Sequence, residues 1–380
     1  MHSASLPIIS KNKIITRVIC FFWLVAKAIS WKVWLADRIF PVTPPFNFLF
    51  VPSSIHLTLF ILSLSAIFFL LLFPSNRRLQ GSVIILEILS CLLDQNRWQP
   101  WEYQYIFIIL ALLINYKNEK NAASTISFIL IAIYFFSGIS KMNPAFSQFV
   151  RQKIILSEIF KPDDSWLSQW LLFHTGYLLG LIETLLSIGL LFKRSTRISG
   201  VFLIIMHLII LIVFGPWGMN YDRIIWPWNI AMIFIVYVYF IKDPTFLFSF
   251  PPMWKGGNNL ILLAFGALPI LNFFGYWDFF LSSSLFSSKT PDIYICIRNP
   301  ENCKALQPFI SHYKRTSICD SNSALIDVRE WSFKEIQIPA YPEIRVYKNI
   351  QAQLIKRYPG MNATFIMYQY INGRKELIER

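Results

Sequence analysis

The chain has 380 residues, of which 55% are hydrophobic and 15% are charged. Soluble domains carry about 25% charged residues, so this composition excludes an ordinary soluble globular protein and predicts one that lies in a lipid bilayer. The formal net charge is +14, and its basic residues fall mostly in short segments between apolar runs, as membrane topology signals do. The sequence has no RNA- or DNA-binding motif, and we expect no nucleic-acid partner.

Apolar runs recur along the first three quarters of the chain, and prolines mark many of their boundaries. Their length predicts transmembrane helices. The third and fourth runs are short or carry charge, so a re-entrant pair is an alternative for them. We predict an all-α polytopic bundle of eight or nine transmembrane helices over residues 1–280. The runs cover residues 15–35, 55–73, 79–96, 102–116, 124–141, 171–192, 198–214, 225–241 and 258–280.

The basic residues predict the orientation of this bundle. The first run has a basic start, as a signal peptide does, but its apolar character continues to Leu35, which favours an uncleaved helix. With the N-terminus in the cytoplasm, the inner segments carry more Lys and Arg than the outer loops, whose basic residues include Arg151, Lys153 and Lys161. Nine spans then place the C-terminus outside the cytoplasm, and we expect a bacterial inner membrane.

Residues 281–380 are more polar than the runs before them and predict a separate domain. The stretch EIRVYKNIQAQLIKRY has one apolar helical face, on which Tyr347 and Ile350 lie. The stretch TFIMYQYINGRKELIE predicts two strands joined by a turn at Asn372-Gly373. We therefore predict a small extracytoplasmic α+β domain at this end of the chain.

The C-terminal domain contains three of the five cysteines, namely Cys296, Cys303 and Cys319. Outside the cytoplasm, one disulfide among them would leave one free thiol. The sequence has no C-x-x-C pair, and no second histidine or carboxylate lies one helical turn from His207. Because metal sites need such groupings, we expect no bound metal.

The stretch YFFSGISKMNPAF, residues 134–146, ends an apolar run on one lysine and a helix stop at Asn143-Pro144. Lys141 has two interpretations. It snorkels to lipid headgroups as an anchor, or it points inward, where a poorly hydrated amine is easily deprotonated and acts as a base or holds an oxyanion. Gly138, one turn earlier, would let a neighbouring helix or a flat ligand approach.

Glu183 and His207 also lie inside apolar runs. Glu183 is either protonated and bonded to another helix or paired with a basic side chain at a cavity. His207 is either hydrogen-bonded within the core or takes part in the site. Ionisable residues in such runs are costly in lipid, so each is a functional candidate. The full set is His56, Glu87, Lys141, His174, Glu183, His207 and Asp278.

Residues 94–105 and 224–232 are rich in Trp and Tyr. They form either an aromatic belt at the membrane interface or the wall of a pocket for a flat apolar ligand such as a quinone. The charge density of residues 94–102 exceeds what a belt needs. The candidate cofactor-binding residues are Trp98, Trp101, Tyr105, Trp228 and Asn229.

The stretch around Lys141 resembles the motif of vitamin K-dependent γ-carboxylases and of their bacterial relatives, the horizontally transferred transmembrane domain (HTTM) proteins. In that motif an aromatic run precedes a glycine, a hydrophobic residue, a lysine, an aliphatic residue and an Asp or Asn. The resemblance covers about residues 15–245. The matching residues are Gly138, Ile139, Lys141, Met142 and Asn143, and in a second block Asp94, Trp98, Tyr103 and Tyr105.

The resemblance implies a membrane fold with its site on the outer side, where a lysine deprotonates a reduced quinone of the vitamin K type. Lys141 falls on that lysine, with Glu183 and His207 as further candidates. Trp101 stands where the carboxylases carry a histidine, so the resemblance does not extend to protein carboxylation. The alternative is a non-catalytic subunit or assembly factor, similar to DoxX-like proteins, with a redox partner in or outside the membrane. A transporter is less favoured, because no inverted repeat is present.

Overall fold

The structure is a computed structural model, which describes residues 10–150, 166–220, 222–242, 248–284, 287–311, 318–320, 322–371 and 374–379. Three basic residues of the long predicted outer loop, Arg151, Lys153 and Lys161, lie outside the described residues, as does the Asn372-Gly373 turn. The fold is mostly helical, with one small antiparallel sheet near the C-terminus.

The helical part overlaps each of the nine predicted spans. The first helix ends at Ile29 instead of continuing to residue 35, and the last ends at Asn272 instead of residue 280. The helix Ile225–Val236 continues as a π-helical turn to Ile241. The helices are α1 Lys11–Ile29, α2 Ser53–Leu72, α3 Arg77–Leu93, α4 Pro100–Ile114, α5 Glu119–Lys141, α6 Pro144–Phe149, α7 Trp166–Gly189, α8 Thr196–Phe214, α9 Ile225–Val236, α10 Asn258–Leu262 and α11 Leu268–Asn272.

Among the described residues, three helices are long and apolar enough to cross a membrane, and they are α2, α5 and α8. Three shorter apolar stretches accompany them, so the predicted number of eight or nine transmembrane helices is not confirmed. Helix α5 has 83% of its apolar window buried, whereas α2 and α8 have 28% and 22%. The centre of the bundle is therefore α5, and the apolar outer faces of α2 and α8 are the surfaces suited to lipid.

The C-terminal part confirms the predicted helix and hairpin. The elements are β1 Asp292–Arg298, β2 Ser323–Asp327, α12 Val328–Ile336, α13 Ile344–Arg357, β3 Asn362–Ile371 and β4 Arg374–Glu379. The four strands form one antiparallel sheet in the order β2-β1-β3-β4. Helix α13 buries the predicted apolar face, and a disulfide joins Cys296 to Cys319 while Cys303 stays free and buried.

The C-terminal part is bonded to the end of the bundle that carries the α3–α4 loop. The Glu335 carboxylate accepts hydrogen bonds from the backbone N–H groups of Ile39 and Phe40, at 2.6 and 2.9 Å. The Arg345 guanidinium bonds to Asp278, with one N–O distance of 2.8 Å. Asp278, an ionisable candidate from the sequence, thus joins the two parts of the molecule.

Candidate functional site

Small residues let α5 and α7 lie against each other near the end of α5. A Cβ atom placed on Gly138 would lie 2.4 Å from Thr184 Oγ1 and 2.7 Å from the carbonyl oxygen of Gly180. Only glycine therefore permits this approach, as in other close helix pairs of membrane proteins. The sequence predicts that Gly138 lets a neighbouring helix or a flat ligand approach. In the structure the neighbour is helix α7, which carries Glu183.

Lys141 points into the bundle and forms an ion pair with Glu183. Its Nζ lies 2.6 Å from Glu183 Oε2 and 2.6 Å from Ser137 Oγ. The two side chains of the pair are only 15% and 7% exposed. A snorkelling anchor would place its amine at the periphery, so this geometry favours the inward interpretation of Lys141.

The helix stop after Lys141 fixes the position of the pair. Asn143 caps α6, because its side-chain oxygen accepts the backbone N–H of Phe146 at 3.0 Å. Its side-chain amide donates to the carbonyl of Ser140 at 2.8 Å. Pro144 occupies the first turn of α6, where its missing N–H has no cost. The chain therefore turns sharply and leaves Lys141 at the end of α5, facing inward.

His207 stands on the other side of the same space, in a chain of hydrogen bonds. Asn229 donates its amide to the carbonyl of Ile225 at 2.7 Å, so its oxygen faces His207 Nδ1, 2.6 Å away. Nδ1 must then carry the proton, and the neutral ring accepts at Nε2 from the Tyr134 hydroxyl, 2.7 Å away. The chain fixes the ring of His207 and its tautomer.

An inner cavity of about 70 Å³ brings three predicted site residues, Lys141, Glu183 and His207, to one space. Trp228 and Asn229, both predicted as cofactor-binding residues, line it as well. The remaining lining residues are Ile133, Ser137, Met206, Ile210, Ile225 and Met232. The wall is thus largely apolar, with its polar groups concentrated at the Lys141–Glu183 pair and at His207.

An outer cavity of about 130 Å³ adjoins the inner one, since Ile225 and Trp228 line both. It lies between the bundle and the C-terminal part and includes Trp101, another predicted residue. The Trp228 indole donates to Gln104 Oε1 at 2.7 Å, which holds the ring in place between the two cavities. The polar residues of the outer cavity are Gln99, Asp222, Ser288, Thr290 and Arg329.

Asp222 is the buried acid of the outer cavity. Burial raises the pKa of its carboxyl to about 7, and a hydrogen bond from the backbone N–H of Ile224, at 2.9 Å, opposes that shift only in part. A group with such a pKa changes charge near neutral pH. Sequence patterns did not single out Asp222, because it lies in a loop without a recognisable motif.

The structure places two predicted cofactor residues away from these cavities. Trp98 packs edge-on against Tyr103, with ring centroids 6.2 Å apart. Tyr105 lies one turn after Trp101 on α4 and packs against Trp23, with ring centroids 5.6 Å apart. Neither lines the inner or the outer cavity. The sequence also missed Ser137, although its position one turn before Lys141 is the usual signal for a contact along a helix.

Comparison with protein-family models, with curated proteins and with solved structures found no match for this chain. The resemblance to the carboxylases therefore stays a prediction from sequence motifs. In the part of the chain that the structure describes, no three His, Cys, Asp or Glu side chains are grouped as ligands for a metal ion. The chemical groups that the site offers are thus those of the Lys141–Glu183 pair and of its two cavities.

Proposed function

We propose that the chain is an integral membrane protein that binds a reduced quinone and removes a phenolic proton from it. The observation that supports this function is the Lys141–Glu183 ion pair, half-enclosed at a cavity lined by aromatic and aliphatic side chains. The proposal includes the predicted bundle of eight or nine helices with its N-terminus in the cytoplasm. Both cavities then lie toward the outer side of a bacterial inner membrane.

The Lys141 ammonium has capacity left for a ligand. It carries three N–H donors, and among the described residues two are used, by Glu183 and Ser137. The third N–H is available to an oxygen atom in the inner cavity. A hydroxyl that binds there lies beside both the ammonium and the Glu183 carboxylate.

The pair acts as one base in this proposal. The hydroquinone O–H bond breaks, its proton passes to the Glu183 carboxylate, and the Lys141 ammonium holds the phenolate that forms. The charge is conserved, because the ammonium exchanges one anionic partner for another. Such a preorganised cation is worth most in a site that excludes water. A phenolate is more readily oxidised than a phenol, which suits the site to a redox reaction.

The size of the cavities supports a ring that extends across both. An aromatic ring fills a protein cavity of roughly 150 Å³, so the inner cavity of about 70 Å³ alone is too small. The outer cavity of about 130 Å³ shares the Trp228 wall with it. A quinone head can therefore stack on Trp228 while one oxygen reaches Lys141.

The test is the ionisation of a bound short-chain naphthohydroquinone, followed by its absorbance in detergent-solubilised protein. The wild type is expected to bind the probe saturably and to shift its spectrum toward the phenolate at neutral pH. The double variant Lys141→Met, Glu183→Gln removes both charges together, so it leaves no unpaired buried ion. It is expected to lose the phenolate signal and at least about tenfold in affinity, which is ~1.4 kcal/mol.

Lys193→Met is the matched control, because Lys193 is exposed in the loop between α7 and α8. It is expected to behave as the wild type. Equal binding and ionisation in the wild type and the double variant would contradict the enzyme function. That result would favour the alternative of a non-catalytic subunit for a redox partner.

A further inference from the structure

A second lysine–glutamate pair lies elsewhere in the bundle, between α1 and α3. Lys27 Nζ lies 2.7 Å from Glu87 Oε2, and both side chains are fully buried. The Lys27 ammonium also lies over the ring of Trp34, 3.1 Å from its centroid. The Ser63 hydroxyl on α2 donates to the other oxygen of Glu87. Glu87 therefore accepts from a cation and a hydroxyl, as an ionised carboxylate does.

A third ionisable group, Glu102 of α4, lies beside this pair. One of its oxygens accepts from the Trp23 indole at 2.7 Å, and its carboxyl lies within hydrogen-bonding reach of Glu87. Its other oxygen, Oε1, has no donor among the described residues. Glu102 is fully buried, and no lysine or arginine within the described residues forms an ion pair with it.

Charge balance decides the state of this cluster. Lys27 neutralises one carboxylate, and two ionised carboxylates side by side in an apolar interior would repel strongly. An isolated buried carboxylate takes up a proton instead of remaining charged. A proton on Oε1 of Glu102 also gives that oxygen a partner, because its O–H group then donates a hydrogen bond to the carboxylate of Glu87.

The surrounding titratable groups leave this balance unchanged. Cys91 of α3 is a buried thiol, which is neutral in apolar surroundings. Arg97 is buried too, but its guanidinium bonds to His56, Ser90 and backbone carbonyls and not to either glutamate. Tyr105 of α4 is buried with its hydroxyl unpartnered among the described residues. Arg97 is a positive charge near Glu87, but its strongest electrostatic partner is Asp94, and Lys27 is the cation that acts most on Glu102.

We propose that Glu102 is a proton-binding site inside the bundle, where its carboxyl holds one proton toward Glu87. Glu102 follows directly on Trp101, a residue of the outer cavity wall. The Trp101 ring packs against both Trp34 and Tyr105, with centroids 6.3 Å apart in each case. The Trp101 indole N–H has no partner among the described residues.

The test is infrared spectroscopy of the full-length protein in membranes, at about pH 9, where carboxyls with a pKa near 7 are ionised. Asp222 and Glu343 are such groups, because burial raises the pKa of each to about 7. The wild type is expected to show a protonated-carboxyl band that shifts in D₂O. Glu102→Gln is expected to lose this band. Glu87→Gln is expected to lose it as well, since Glu102 then becomes the partner of Lys27.

Lys27→Met gives the opposite change. Without the cation both acids are expected to be protonated, so the band gains intensity up to about twofold. Labelling of glutamate with ¹³C, compared with labelling of aspartate, assigns the band without any substitution, even where a variant fails to fold. A band that is absent from the wild type, unshifted in D₂O, retained in Glu102→Gln or shifted by aspartate labelling would overturn the proposal.

Discussion

The molecule contains two lysine–glutamate pairs that differ in what surrounds them. Lys141–Glu183 joins α5 to α7 at a cavity, and its side chains are 15% and 7% exposed. Lys27–Glu87 joins α1 to α3, and both of its side chains are 0% exposed. The N–O distances are nearly equal, at 2.6 and 2.7 Å. Their chemistry is thus set by access and neighbours and not by the strength of the bridge.

The comparison shows how one pair of residue types serves two purposes. At the cavity, Lys141 uses two of its three N–H donors within the described residues and faces space for a ligand. This arrangement is what the proposed proton transfer from a bound hydroxyl requires. In the closed cluster of Lys27, Glu87 and Glu102, the Lys27 ammonium donates to Glu87 and lies over the ring of Trp34, and the nearest additional group is a second acid. That arrangement stores a proton and admits no organic ligand.

The largest expected difference between the pairs is in stability. Lys27→Met leaves two buried acids without a cation, and breaking a buried pair in this way costs about 3–5 kcal/mol. Lys141→Met is expected to cost less, about 1–2 kcal/mol, because water in the cavity can solvate Glu183. Equilibrium unfolding in mixed detergent and SDS, followed by circular dichroism, measures both. Equal losses, or a larger loss at Lys141, would remove the distinction between closed and open pairs.

The second effect is on the position of α7. Gly138→Ala brings a Cβ atom to 2.4 Å from Thr184 Oγ1, so α5 and α7 must separate, at a cost of about 1–3 kcal/mol. Glu183 moves with α7, and hydroquinone binding is expected to weaken. Gly81→Ala in α3 is the matched control, since a Cβ there meets nothing within 4 Å. The control is expected to be neutral or stabilising by up to about 1 kcal/mol. Similar behaviour of the two variants would show that helix contact does not position the pair.

The smallest expected effect is the pH dependence of ligand affinity. Burial raises the pKa of Asp222 in the outer cavity to about 7, so its carboxyl is neutral below that pH and negative above it. The negative form repels a bound phenolate, and we expect the affinity to fall about threefold between about pH 6 and about pH 8. Asp222→Asn should remove that fall. A fall of the same size in the variant would assign it to another group.

The closed cluster should not share this dependence. Glu102→Gln keeps a neutral side chain of the same shape, so hydroquinone affinity in that variant is expected to follow the wild-type curve at each pH. Binding titrations of the two variants side by side therefore separate the cavity from the cluster. A flattened curve in Glu102→Gln would mean that the two sites are electrostatically coupled.

Local patterns in the sequence predict much of the fold and single out the residues of one of the two lysine–glutamate pairs. Apolar runs and prolines predict a helical stretch at every expected span, because backbone hydrogen bonds in an apolar run favour a helix. The unusual end of α5 singles out Lys141. Glu183 and His207 stand out as isolated ionisable residues, and the cavity brings all three together.

The closed pair could not be predicted in the same way. Glu87 was an ionisable candidate, but Lys27 lies in the first apolar helix, where a lysine near a helix end usually reaches for headgroups. Its partner lies 60 positions away along the chain. Which face of α1 packs against α3 depends on the packing of the whole bundle, and no local period encodes it. The same limit applies to Tyr105, whose ring packs against Trp23 and Trp101 and lines neither cavity.

The most direct test of the difference between the two pairs compares two double variants, Lys141→Met, Glu183→Gln and Lys27→Met, Glu87→Gln. Each removes both charges of one pair and leaves the other pair intact, so neither leaves an unpaired partner. Phenolate absorbance of the bound naphthohydroquinone at neutral pH is the measurement. We expect the variant without the Lys27–Glu87 pair to retain the wild-type signal and the variant without the Lys141–Glu183 pair to lose it. A phenolate signal that survives without the Lys141–Glu183 pair, or disappears equally from both variants, would contradict the proposed role of that pair.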